Sequence, residues 1–108
     1  MAGCDKREQT ASARTHGDPE RGKHAIEYHG CGSCHTIPGI RAADGLVGPS
    51  LERLGGRAYI GGVLPNNPDN LIRWIQDPPS VDPHTAMPNI HVPEADARDI
   101  AGYLYTLR

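Results

Sequence analysis

Cys31-Gly32-Ser33-Cys34-His35 is the stretch on which the reading of this chain turns. Two thiols three positions apart fall within one turn of backbone, and an imidazole follows the second at once. Three ordinary uses of such a pair compete: a redox dithiol, half of a zinc site, or a structural disulfide. Each fits worse than a fourth. A redox dithiol wants a strand-turn-helix in a βαβ setting, and a zinc site wants a second ligand pair, and the sequence offers neither. The fourth reading is the C-x-x-C-H pattern of haem attachment. Cys31 and Cys34 can then add to the two vinyl groups of one porphyrin, while His35 binds the iron from one face. Gly32 and Ser33 keep bulk away from the ring edge.

A haem answers a deficit in the rest of the chain. With 108 residues there is room for one domain, and a chain this short buries little of its surface unaided. Only 37% of residues are apolar, Phe is absent, and 13 Gly and 10 Pro thin the core further. A large apolar group placed centrally adds roughly 25 cal/mol per Å² removed from water. The formal net charge of −2, from 11 basic and 13 acidic side chains, disfavours nucleic acid as a partner. Three cysteines, at 4, 31 and 34, allow at most one disulfide. No apolar run approaches the length of a membrane span and no hydrophobic leader core is evident, so the chain is expected to be soluble.

The second axial ligand has to come from the opposite face of the ring. Met1, Met87 and the remaining histidines are the candidates. Met1 sits at a free end, whereas Met87 lies in Ala86-Met87-Pro88 inside a Pro-rich loop, where a core-filling methionine would be out of place. Met87 is the expected ligand, with His84 and His91 on either side of it as alternatives. A thioether favours reduced iron, and a six-coordinate iron leaves no open position for oxygen or peroxide. On that ground the chain is expected to be an electron carrier or electron-transfer subunit and not an enzyme. A haem enzyme and a gas sensor are the competing classes, and the sensor requires Met87 to be displaced easily.

Residues 1–16 are polar and aperiodic and read as a flexible tether, with the domain occupying 17–108. Asp18-Pro19 is a cap followed by Pro at the first helical position, opening a helix that runs through Ala25 and Ile26 to Gly30. Gly30 to Gly48 should be loop, and Ser50 to Leu54 one helical turn stopped by Gly55-Gly56. Asn67-Pro68 opens a second helix carrying Leu71, Trp74 and Ile75, which Asp77-Pro78-Pro79 ends. A Pro-rich extended stretch passes Met87, and Pro93-Glu94 opens the last helix, with Ile100, Tyr103, Leu104 and Leu107 as its apolar stripe. No period-two alternation is convincing, so the fold class is all-α, with three to four main helices and long loops around one covalently bound haem.

Over residues 17–108 the sequence resembles the class I cytochrome c family. Gly17-Asp18-Pro19-Glu20-Arg21-Gly22-Lys23 is similar to that family's first helix, in which the second Gly admits the last helix closely. The resemblance implies a crossing of Gly22 with Tyr103. Gly48-Pro49-Ser50-Leu51 resembles the family's Gly-Pro-x-Leu, implying that the Pro49 carbonyl holds His35 and that Leu51 lies beside the haem. It further implies that Arg57, with Tyr59, approaches a haem propionate and that Trp74 lies near the axial sulfur. Two features depart from the family. His84 stands where Pro-Gly-Thr-x-Met has Gly, at a cost if that position needs positive φ, and helix one offers only Ile26 or Tyr28 where an aromatic is usual.

Trp74-Ile75-Gln76-Asp77-Pro78, leading to Met87-Pro88, is most similar to bacterial cytochromes that serve, or are fused to, membrane oxidases and quinol-oxidising complexes. The resemblance implies single-electron transfer by Fe(II)/Fe(III) cycling between respiratory or photosynthetic complexes, with a terminal oxidase or quinol-oxidising complex as partner. It also implies a periplasmic or extracytoplasmic location, because haem is attached to C-x-x-C-H outside the cytoplasm. Met1-Ala2-Gly3-Cys4 looks like the end of a lipoprotein signal, which would make Cys4 a lipid anchor and the polar stretch after it a tether.

Overall fold

A computed structural model describes residues 6–108. Its elements are five helices, α1 (Lys6–Thr15), α2 (Pro19–His29), α3 (Pro68–Gln76), α4 (Pro78–Val81) and α5 (Glu94–Leu104), and two short strands, β1 (Tyr59–Ile60) and β2 (Leu64–Pro65). Helix takes up about half of the chain, and long irregular segments link the helices. The strands pair antiparallel, Tyr59 opposite Pro65 and Ile60 opposite Leu64. That small sheet departs from the all-α expectation, and two-residue strands are too short to show any alternation in sequence.

Local chemistry starts and stops the helices. Asp18 caps α2 by accepting from the Glu20 backbone N–H, with Pro19 at the first helical position, and Gly30 ends it in the left-handed conformation at φ 74°. Asn67 caps α3 by accepting from the Asn70 N–H. The core lies where α2, α3 and α1 meet α5 and takes in Ile26, Leu71, Ile72, Ile75, Ala97, Ile100, Tyr103 and Leu104. Each fully buried Ile or Leu contributes about 1.5–3 kcal/mol.

The α2/α5 crossing is close because Gly22 has no side chain. A Cβ there would overlap the Asp99 carbonyl and touch Tyr103 Cβ. Buried Asp99 ties the same crossing by accepting from the Asp18 N–H at 2.8 Å and from Arg21 Nε at 3.2 Å. On the other flank of the pair, His29 Nε2 meets Asp96 Oδ2 at 2.9 Å.

Three sequence expectations change. Most of the stretch read as a tether forms α1, which packs on α5 with Ala11 and Thr15 buried. Thr15 Oγ1 donates to the Ala11 carbonyl, and Arg98 Nη1 donates to the Thr15 carbonyl from α5. So polar a helix betrays itself by only two inward residues. The turn expected over Ser50–Leu54 forms instead as a 3-10 turn over Leu54–Gly56, entered through Arg53 at φ 59°. Asp77-Pro78-Pro79 does end α3, but the stretch that follows, read as extended, begins with α4, because proline is well suited to a first helical turn. Met1 and Cys4, with the lipid anchor placed on Cys4, lie outside the described residues.

Candidate functional site

The site grows from the end of α2. Left-handed Gly30 turns the chain into a 3-10 turn over Cys31–Ser33, in which the Cys34 and His35 N–H groups both donate to the Cys31 carbonyl, at 3.2 and 3.1 Å. The motif is thus one tight turn with His35 at its exit. Both thiols are free and half-buried. Burial pushes the Cys31 thiol up from its ordinary range, with the neighbouring Cys34 adding to the effect. A reactive dithiol needs the opposite shift, so the redox reading loses its electrostatic basis.

The chain then folds back over the turn. The Gly45 N–H donates to the Gly32 carbonyl at 3.1 Å, the Gly48 N–H to the Cys34 carbonyl at 2.7 Å, and the Leu51 N–H to the Thr36 carbonyl at 2.9 Å. This return brings the Pro49 carbonyl oxygen to 2.7 Å from His35 Nδ1. A carbonyl can only accept, so Nδ1 carries the hydrogen, and a neutral imidazole then has its lone pair on Nε2. The geometry prepares one nitrogen of His35 to bind a metal and commits the other to the protein. Gly48 makes room for it, since a Cβ there would overlap the His35 ring. The Tyr103 hydroxyl donates to the Pro38 carbonyl at 2.6 Å and pins the same loop to α5. The sequence placed Tyr103 only at the helix crossing; nothing in a stripe position reveals where a hydroxyl ends.

Other candidate residues take varied places. Met87 is half-buried, and its N–H donates to Thr85 Oγ1 at 3.1 Å. His84 and His91 are exposed on either side. His84 has no positive φ, so the expected cost at that position does not arise, whereas His91 sits at φ 59°. Leu51 packs partly buried against the core. Arg57 Nη2 donates to the Ser50 and Glu52 carbonyls, both at 2.6 Å, and so braces the segment that follows Pro49. Tyr59 points outward, 61% exposed. Trp74 is half-buried with its ring against Gly61, where a Cβ would come within 2.9 Å.

Exposed apolar side chains lie close in sequence to two of these residues. Leu46 and Val47, just before Gly48, are 88% and 80% exposed, and Ile90, just after Met87, is 40% exposed. Among the described residues no cluster of three or more His, Cys, Asp and Glu could hold a metal ion, and no helix is long and apolar enough to cross a membrane.

No family model matches the chain. Cytochrome c oxidase subunit 2 of Alkalihalophilus pseudofirmus is 34% identical over 89 residues, covering 82% of this chain and 25% of that protein. The proteins of the same name from a Bacillus species and from Bacillus subtilis are 33% and 28% identical over 88 residues, again over 25% of their length. The chain therefore spans about a quarter of the length of the curated relatives it matches. These names correct one expectation. The chain was read as lying outside the enzymes, whereas its relatives are named as a subunit of an oxidase, which is an enzyme.

Proposed function

We propose that this chain is a haem c-binding electron-transfer module of the class I cytochrome c type that works in respiratory electron transfer with, or as part of, a terminal oxidase. The observation that carries the reading is the pairing of two free thiols in one turn with His35 Nδ1 held by the Pro49 carbonyl. The donor set suits haem, with two thiols for thioether bonds, one imidazole nitrogen free for iron and the Met87 thioether in a loop of its own. Cover for the exposed Leu46, Val47 and Ile90 against a porphyrin would suit it too. The name shared by the three relatives supports the oxidase setting, and attachment of haem to C-x-x-C-H, which occurs outside the cytoplasm, goes with an extracytoplasmic face.

When bound, haem supplies a one-electron Fe(II)/Fe(III) couple. The protein's own part is to hold and tune it. Cys31 and Cys34, both free thiols in one turn, would hold the group covalently through thioether bonds to its two vinyl groups. His35 would hold the iron through Nε2, in an orientation set by the Pro49 carbonyl at Nδ1, which would strengthen its donation. The Met87 thioether would be the second protein ligand and would favour the reduced state. Arg57 contributes by bracing the loop after Pro49, and Leu51 by packing beneath it.

The test is the near-infrared spectrum of the oxidised holoprotein. A weak sulfur-to-iron band that vanishes in Met87→Ala supports the reading. Its absence from the wild-type protein moves the sixth ligand to His84 or His91, and failure of the protein to retain haem on denaturation overturns the covalent site.

A further inference from the structure

We propose that the cleft between α1 and the end of α5 is a binding site for a phosphate group. Among the described residues, seven line it: Lys6, Arg7, Thr10, Ala11, Arg14, Tyr105 and Arg108. Four of the seven are cations, none is acidic, and Thr10 adds a hydroxyl. A protein of net charge −2 with 11 basic residues in all thus gathers four of them around one hollow. Like charges brought together repel, and an anion seated among them relieves that repulsion.

The floor of the cleft is fixed. Tyr105 is buried at the end of α5, its hydroxyl donates to Asn66 Oδ1 at 2.7 Å, and the Arg14 guanidinium lies 4.4 Å from the centre of its ring. Contact with the ring helps to hold the Arg14 guanidinium in place, and its planar fork is the shape that recognises phosphate oxygens in pairs. The walls come from α1, where Lys6, Thr10 and Arg14 recur every fourth residue and so share one face, with Arg7 beside them. A second hollow adjoins through Arg108 and is lined by Ser50, Glu52, Arg53, Gly56 and Arg57. The Glu52 carboxylate there opposes an anion, so the α1 cleft is the site.

Phosphate of this kind can be a free ion or a lipid headgroup. The haem-loaded full chain is titrated with inorganic phosphate by calorimetry, chloride holding the ionic strength constant, and separately sedimented with phosphatidylglycerol and with phosphatidylcholine vesicles. Saturable phosphate binding that falls at least tenfold in Arg7→Gln and in Lys6→Gln, but not in Arg73→Gln on the exposed face of α3, supports a free-ion site. Sedimentation with phosphatidylglycerol alone, lost in the same two variants, supports a headgroup site. Circular dichroism of each variant, with helix content unchanged, excludes loss of α1 as the cause. Binding of neither probe above chloride and phosphatidylcholine, or equal weakening by Arg73→Gln, overturns the proposal.

Discussion

Pro49 accepts the Nδ1 hydrogen of His35 at 2.7 Å across fourteen residues of sequence, and Gly48 is the residue that lets the ring lie against that carbonyl. A methyl group at Gly48 has to displace the imidazole or the loop. Gly48→Ala is expected to destabilise the protein by about 1–3 kcal/mol, the usual range for overpacking. It should also disturb axial ligation, read as a changed electron paramagnetic resonance signal of the oxidised protein. An unaltered signal together with unaltered stability would show that the contact is slack.

The α2/α5 crossing makes a second prediction. Gly22→Ala sets a Cβ against the Asp99 carbonyl, which is backbone in mid-helix and cannot swing aside. A cost of about 1–3 kcal/mol is expected. For a chain of this size, each kcal/mol lowers the thermal midpoint by roughly 4–8 °C. Calorimetric melting checks it, and a midpoint within a degree of wild type would mean that the helices separate freely.

Tyr103→Phe keeps the ring at that crossing and removes only the hydroxyl that donates to Pro38. The net loss should be about 1 kcal/mol. Because the bond holds the loop that carries the site, amide exchange at Ile40 and Ala43, whose N–H groups donate within that loop, should quicken. Exchange rates equal to wild type would confine the hydroxyl to a local role.

Alkaline pH supplies a further test. Burial pushes Tyr105 up to about 12 from an ordinary value of 10, against a smaller opposing pull from Arg14, and Tyr103 moves in the same direction. Above pH 10 the unfolded chain gives up its phenol protons while the folded chain keeps them, so stability should fall as pH rises from 10 towards about 12. Urea midpoints measured across that window should decline, and less steeply in Tyr105→Phe. A variant with an undiminished slope would place the titration elsewhere.

Replacing Met87 by Ala is the remaining prediction. The reduced wild-type protein should not bind carbon monoxide, and Met87→Ala should bind it, because the open position then faces no strong ligand. Optical titration decides the matter. Equal binding by both proteins would remove Met87 from the iron.

Much of this was legible in particular residues. Asp18-Pro19 and Asn67-Pro68 announce α2 and α3 because a cap and a helical φ are local chemistry. Gly22 and Pro49 were readable through motifs whose neighbours come from far along the chain. Helix α1 was not, since its composition is that of a solvated segment and only packing on α5 holds it. Arg57 shows the same limit from the other side. The resemblance implies a place near a haem propionate, and nothing in the spacing showed that its guanidinium would also reach the Ser50 and Glu52 carbonyls, which depends on loop conformation.

The clasp of Gly22 on Asp99 and Tyr103 also makes the loop around the motif depend on a helix far along the chain. The turn at Cys31–His35 can form from neighbouring residues alone, whereas the Pro38 carbonyl gains the Tyr103 hydroxyl that pins its loop only when α5 is in place. Closure of the loop and docking of α5 are therefore a single event, so a fault at the crossing is felt beside the thiols without touching them.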